Sequence, residues 1–119
     1  MATILIVDDE ESLRCIISMI LVDKYTVLEA DNALEGLTMF QQHQPDLIIT
    51  DMNMPGMTGL ELVEKVRNIS KTVKLVAFSA SLRNPDKFKA MMAAGADICL
   101  PKPGGIDELE LAVEKLLTC

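Results

Sequence analysis

The sequence has 119 residues, a length that predicts a single domain over residues 1–119 with one hydrophobic core. Half of the residues are apolar, but no apolar run reaches the roughly 18 residues of a membrane span and no secretion signal precedes the first strand, so we expect a cytoplasmic protein that does not enter membranes. The net charge of −7 argues against direct nucleic acid binding, because a phosphate backbone needs a basic surface.

The cysteines and the histidine form no recognisable metal or nucleophile motif. Cys15, Cys99 and Cys119 are odd in number and widely spaced, without a CxxC pair. We interpret them as free thiols in a reducing compartment. His43 is the single histidine, at the end of a predicted helix, and no serine or cysteine accompanies it, so we expect it at the surface.

Short apolar runs alternate with segments of helical periodicity along the whole chain. The runs predict five strands, at residues 4–7, 26–30, 47–50, 74–78 and 98–100. The first run ends in Asp8 and Asp9, the third in Asp51, and the fourth in Ser79. Polar residues at the carboxyl ends of buried strands are the first candidates for function, since open α/β sheets bind ligands at that edge.

Five helices are predicted from start signals and apolar stripes. The starts are Ser12, Asp31-Asn32, a capping box of Thr58 and Glu61, Asn84-Pro85, and about Ile106. The stripes predict that these side chains face the core: Leu13, Ile16, Ile17, Ile20, Leu21, Ala33, Leu34, Leu37, Phe40, Leu62, Val63, Val66, Phe88, Met91, Met92, Ile106, Leu109, Val113, Leu116 and Leu117. Arg14 is expected to face water, and Met52, Met54 and Met57 to fill the core.

Strict alternation of strands and helices predicts an α/β fold with a parallel sheet, right-handed crossovers and helices on both faces. The expected architecture is a doubly wound, flavodoxin-like (βα)5 domain with strand order 2-1-3-4-5. This order has its switch point between the first and third strands. It therefore predicts that Asp8 and Asp9 lie beside Asp51.

Three neighbouring carboxylates repel one another unless a cation compensates them. Mg²⁺ is the ion that we expect, because it prefers oxygen ligands and keeps positions for water and phosphate oxygens. Ser79 can donate a hydrogen bond at the same edge, and Lys102 brings a positive charge suited to a carboxylate or phosphoryl oxygen. Together these residues predict a site for an aspartyl phosphate formed on Asp51.

Each candidate also has a purely structural interpretation. Asp51 could start a turn, and Asp8 and Asp9 could be acids favoured by a helix dipole. Ser79 could be an ordinary hydroxyl at a strand end, and Lys102 a solvated lysine.

With these motifs taken in order, the sequence resembles the receiver domain of two-component response regulators over essentially its whole length. The resemblance lies in residues 4–10, 51–59, 79–80, 95–97 and 102–103. It implies that Asp51 accepts a phosphoryl group from a histidine kinase or phosphotransfer protein and that a downstream effector protein responds. It also implies that the domain catalyses only its own phosphotransfer and dephosphorylation.

The resemblance further implies how the site works. Asp9 and Asp51 would bind Mg²⁺ directly, Asp8 through water, and Asn53 through its backbone carbonyl. Ser79 would bond a phosphoryl oxygen, and Lys102 would pair with Asp51 or its phosphate. The peptide bond between Lys102 and Pro103 would be cis, as receivers commonly have it.

The sequence departs from the family near Lys102. Receivers usually carry Tyr or Phe three residues before this lysine, where the present chain has Cys99, and Pro101 and Gly104 are also less usual. We therefore expect the signal to leave through backbone movement at residues 79–82. The alternative is a receiver-like interaction module that works without phosphorylation, whereas a haloacid-dehalogenase phosphatase is too large for this chain. We expect a monomer, or a weak dimer on activation through residues 90–94.

Overall fold

The computed structural model describes residues 1–102 and 105–118. Its elements in chain order are β1 (Thr3–Val7), α1 (Glu11–Leu21), β2 (Thr26–Ala30), α2 (Ala33–His43), β3 (Leu47–Thr50), α3 (Gly59–Ile69), β4 (Lys74–Ser79), a short 3-10 helix (Ala80–Arg83), α4 (Pro85–Ala94), β5 (Ile98–Pro101) and α5 (Ile106–Leu117). The predicted strands and helices are confirmed, with boundaries that differ by one or two residues.

The five strands form one parallel sheet in the order β2-β1-β3-β4-β5, which confirms the predicted doubly wound fold. Alternate residues of the central strands point to opposite faces. Leu5 and Val7 belong to a core with residues of α2, α3 and α4, whereas Ile4 and Ile6 belong to a core with residues of α1 and α5. Within the described ranges, no helix has the length and apolarity needed to cross a bilayer.

The apolar faces that the sequence predicts for the helices are wider than the faces that the structure buries. Ile16, Leu34, Phe88 and Met92 were expected in the core, but each is exposed. Helical periodicity marks the side of a helix that is apolar, whereas the curvature of the sheet decides how much of that side is covered. The methionine prediction is confirmed, since Met52 and Met54 are buried and Met57 packs against the same core.

Polar caps fix the helix starts as the sequence predicts. Thr58 and Glu61 form the complete capping box of α3. The side chain of Asn32 accepts a hydrogen bond from the backbone of Glu35, and that of Asn84 caps α4, whose first residue is Pro85. These caps set where α2, α3 and α4 leave the carboxyl edge of the sheet.

Arg67 joins three connections at the opposite, amino edge of the sheet. Its guanidinium donates to the carbonyls of Gly95, Ser70 and Val73 and pairs with Asp97 at 3.0 Å. The same carboxylate accepts the backbone N–H of Leu75 in β4. The starts of β4 and β5 are therefore tied to the end of α3 through charge-assisted hydrogen bonds.

Gly59, at the start of α3, is required by a close approach of two backbone segments. Its N–H donates to the carbonyl of Met52, and a Cβ at this position would overlap the carbonyl oxygen of Asp51. Only glycine permits this contact, which holds α3 against the loop that carries Asp51.

We expect Gly59→Ala to lower the free energy of unfolding by about 3 kcal/mol, because the loop must move away from α3. Gly56→Ala is the matched control in the same loop: its Cβ meets no atom within 4 Å, and only its positive φ of 81° opposes the change. This control should cost about 1 kcal/mol. Urea denaturation measures both values, and equal losses would contradict the close-approach argument.

Candidate functional site

The end of β1 holds the first acidic residues of the site. Asp8 is 3% exposed, its N–H donates to the carbonyl of Ala30, and its Oδ1 accepts the N–H of Glu10 at 2.9 Å. Asp9 follows in the same turn and is exposed. The turn therefore presents one buried and one solvated carboxylate at the carboxyl edge of the sheet.

Asp51 lies next to this turn at the end of β3. Its N–H donates to the carbonyl of Val7, which extends the pairing of β1 with β3 by one bond. Its Oδ1 accepts the N–H of Met52 at 2.7 Å. One carboxylate oxygen is thus fixed by the backbone, and Oδ2 is directed to another partner, Lys102.

The three carboxylates form one cluster, as the strand order predicts. Asp8, Asp9 and Asp51 each offer an oxygen, and these oxygens lie within 4.8 Å of one another. Burial raises the pKa of Asp8 above its usual value, the N–H of Glu10 and the ammonium of Lys102 lower it, and the charge of Asp51 raises it again. An all-oxygen cluster with this charge fits a hard divalent cation such as Mg²⁺.

Lys102 provides the positive charge of the site, but its nearest partner differs from the expected one. Its Nζ lies 3.1 Å from Asp8 Oδ2 and 3.8 Å from Asp51 Oδ2, and 5.3 Å from the centre of the Phe78 ring. The ammonium lies closer to Asp8 because that carboxylate is the more deeply buried of the two and gains most from a counter-charge. The expected cis bond to Pro103 falls outside the described residues, as does Gly104.

Ser81, which the sequence did not single out, contacts both Ser79 and Asn53. The Ser79 hydroxyl is buried and accepts the N–H of Ser81 at 3.3 Å; it makes no hydrogen bond to Asp51 in the described part of the chain. The side chain of Asn53 donates to the hydroxyl of Ser81. Ser81 therefore links the loop after β3 to the segment after β4.

A family model described as the response regulator receiver domain matches residues 4–114. The chain belongs to the response regulator receiver domain family. Receiver domains are the phosphoacceptors of two-component signalling, and they interact with histidine kinases or phosphotransfer proteins.

Two curated relatives show how differently this domain is used. Sporulation initiation phosphotransferase F of Bacillus subtilis is 31% identical over 115 residues, which are 96% of this chain and 92% of that protein. Histidine kinase P4 of Formosa agariphila is 36% identical over 118 residues, which are 98% of this chain but 8% of that protein. This chain thus spans nearly all of one relative and a small part of the other.

Solved structures confirm the fold over nearly the whole chain. The chemotaxis protein CheY4 of Vibrio cholerae superposes with a TM-score of 0.90 at 36% identity, covering 98% of this chain and 99% of that one. The response regulator TrrA of Thermotoga maritima, determined in complex with Mg²⁺ and BeF, gives a TM-score of 0.87 at 33% identity and covers 98% and 100% of the two chains.

Arg14 is a further residue of this site, and its position differs from the predicted one. Its side chain was expected to face water, but it is only 14% exposed. Nη1 donates to the carbonyl oxygen of Asp8 at 2.7 Å, and Nε pairs with Glu29 at 3.2 Å. The sequence signal was an arginine near the start of the helix that follows an acidic strand end, but its partner Glu29 is 15 residues away in the chain.

Cys99 occupies the position where receivers usually carry an aromatic residue. It is buried in the core shared by α3 and α4, and burial raises the pKa of its thiol to about 11. Cys15 lies on the exposed side of α1. The two thiols should therefore differ strongly in reactivity.

We expect iodoacetamide at pH 8 to modify Cys15 at least ten times faster than Cys99 in the folded protein, because the buried thiol is inaccessible and protonated. Peptide mass spectrometry after timed quenching measures each site separately. Both thiols should react at similar rates in urea, which serves as the control. Equal rates in the folded state would contradict the buried position of Cys99.

Proposed function

We propose that Asp51 is the phosphoryl acceptor of this receiver domain and that Asp8, Asp9, Asp51 and Asn53 hold Mg²⁺ beside it. The observation that carries the proposal is the cluster of three carboxylates within 4.8 Å, with the Lys102 ammonium 3.8 Å from Asp51. Asp9 and Asp51 would bind the ion directly, Asp8 through water, and Asn53 through its backbone carbonyl.

Asp51 is a better acceptor than its acidic neighbours for geometric reasons. The Asp8 side chain is only 4% exposed and Lys102 lies 3.1 Å from its Oδ2, whereas Lys102 lies 3.8 Å from Asp51 Oδ2. Asp9 has no hydrogen bond that fixes its carboxylate among the described residues. Asp51 combines an oxygen oriented by Met52 with a partly exposed side chain, which suits an in-line attack that needs a positioned nucleophile.

The transfer itself requires little covalent chemistry from the protein. A carboxylate oxygen of Asp51 attacks the phosphorus of a phosphohistidine, the phosphorus–nitrogen bond breaks, and the histidine nitrogen leaves with the electron pair. Mg²⁺, when bound, neutralises negative charge on the phosphoryl oxygens and on the carboxylates. The similar protein TrrA was determined in complex with Mg²⁺ and BeF, which supports a magnesium site in this domain.

Lys102 and Ser79 complete the site once the phosphoryl group is present. The Lys102 ammonium lies between Asp8 and Asp51 and is close enough to pair with an oxygen of the phosphoryl group. The Ser79 hydroxyl would donate to a second oxygen. The hydroxyl accepts the N–H of Ser81 and keeps its own proton for donation, and we expect its segment to shift toward the phosphoryl group.

The cellular role follows from this chemistry. The donor is a histidine kinase or phosphotransfer protein in the cytoplasm, and the phosphorylated domain switches its contacts with a downstream effector protein. The domain acts as a monomer, or as a weak dimer through residues 90–94 when it is activated. The presence of Cys99 favours the alternative of an interaction module that works without phosphorylation. Cys99 lies outside the acidic cluster, however, and does not disturb the proposed acceptor.

Incubation with acetyl phosphate and Mg²⁺ tests the acceptor. We expect the protein to gain the mass of one phosphoryl group, because Asp51 is positioned for attack, and Asp51→Asn to gain none. Asp23→Asn makes the same substitution at an exposed position just after α1 and is the matched control. It should gain the same mass as the wild type. A wild-type protein that stays unmodified would favour the phosphorylation-independent alternative.

Beryllofluoride, which mimics an aspartyl phosphate, tests the output. We expect the backbone of residues 79–82 to move when it binds, since Ser79 would donate to the mimic and Ser81 is linked to Asn53 in the loop after Asp51. Backbone amide shifts or structures with and without the mimic measure this movement, and Asp51→Asn should show none. Superimposable backbones at residues 79–82 would rule out this route for the signal.

A further inference from the structure

The position of Asp9 depends on the backbone, because its side chain lacks any hydrogen bond among the described residues. Asp8 is different, since Glu10 and Lys102 hold both of its carboxylate oxygens. The direction in which the chain leaves Asp8 therefore decides where the Asp9 carboxylate lies. This direction is set by the peptide plane that contains the Asp8 carbonyl and the Asp9 nitrogen.

Arg14 holds that peptide plane. Its Nη1 donates to the Asp8 carbonyl oxygen at 2.7 Å, a short distance for a hydrogen bond from a charged donor to a backbone oxygen. Its Nε is paired at 3.2 Å with Glu29, which lies beside Ile6 in the pairing of β2 with β1. The planar guanidinium can serve both acceptors at once, and the sheet fixes the position of one of them.

The Arg14–Glu29 pair can orient the backbone while carrying little net charge. A lone arginine next to an acidic cluster would repel a metal cation, but the Glu29 carboxylate offsets the charge of Arg14. The Arg14 side chain is 14% exposed, so the interaction is partly shielded from solvent. The arrangement can therefore orient the turn between β1 and α1 without reducing its attraction for a cation.

We propose that Arg14, oriented by Glu29, is a positioning residue that fixes the peptide between Asp8 and Asp9 and so places Asp9 as a metal ligand. This inference depends on the proposed Mg²⁺ site. It adds a residue that orients one of the metal ligands. Partners that orient metal ligands commonly change metal affinity by tenfold or more. Arg14 itself touches neither the metal nor the phosphoryl group.

Magnesium titrations followed by backbone amide NMR shifts test the proposal without any phosphorylation. We expect Arg14→Met to weaken Mg²⁺ binding about tenfold. Arg14→Lys should also weaken it, since one ammonium cannot hold both acceptors in a fixed plane. The double variant Arg14→Met with Glu29→Gln restores the net charge of the wild type and should bind as weakly as Arg14→Met alone.

A purely electrostatic role gives the opposite pattern and would overturn the proposal. Arg14→Met would then bind Mg²⁺ more tightly, whereas Arg14→Lys and the double variant would match the wild type. Lys24→Met removes one positive charge at an exposed position after α1. It controls for net charge and should leave the affinity for Mg²⁺ unchanged. If Arg14→Met does not give the dispersed spectrum of a folded protein, Arg14→Lys decides, because wild-type affinity in that variant also overturns the proposal.

The same titration separates this inference from the proposed function. A wild-type domain without saturable Mg²⁺ shifts near Glu10 and Met52 contradicts the metal site itself. Saturable wild-type binding that all the Arg14 variants retain contradicts only the positioning role.

Discussion

The repulsion among Asp8, Asp9 and Asp51 is the constraint that explains how the other polar groups at the carboxyl edge are arranged. Their oxygens lie within 4.8 Å of one another, an arrangement that is unfavourable without positive charge. Lys102 offsets part of this charge by lying between Asp8 and Asp51, and the N–H groups of Glu10 and Met52 stabilise one oxygen on each carboxylate. The remaining negative charge attracts a cation to this edge.

The sheet and the acidic cluster could be predicted from the sequence because both follow from local patterns. Apolar runs that end in Asp8 and Asp51 identify strands and their carboxyl ends, and the expected flavodoxin-like strand order makes these ends neighbours. Contacts that depend on three-dimensional curvature could not be obtained in this way. The exposure of Leu34 and Phe88 and the pairing of Arg14 with Glu29 depend on how helices lie across a twisted sheet.

Cys99, at the position where receivers usually carry an aromatic residue, does not belong to the acidic cluster. The cysteine is buried against the α3 and α4 core, whereas the acidic cluster and Lys102 lie at the carboxyl edge. A small thiol has no ring that could rotate between an inner and an outer position. The backbone after β4, which Ser81 links to Asn53 in the loop after Asp51, leads directly into the start of α4.

The Arg67 network has a consequence for the way this domain can move. It fastens the starts of β4 and β5 to the end of α3 at the amino edge, far from the acidic residues. A displacement at the carboxyl edge therefore cannot slide these strands as a unit. Because Arg67 also holds the carbonyl of Gly95 at the end of α4, we expect a displacement near Ser79 to move the first turn of that helix more than its last turn.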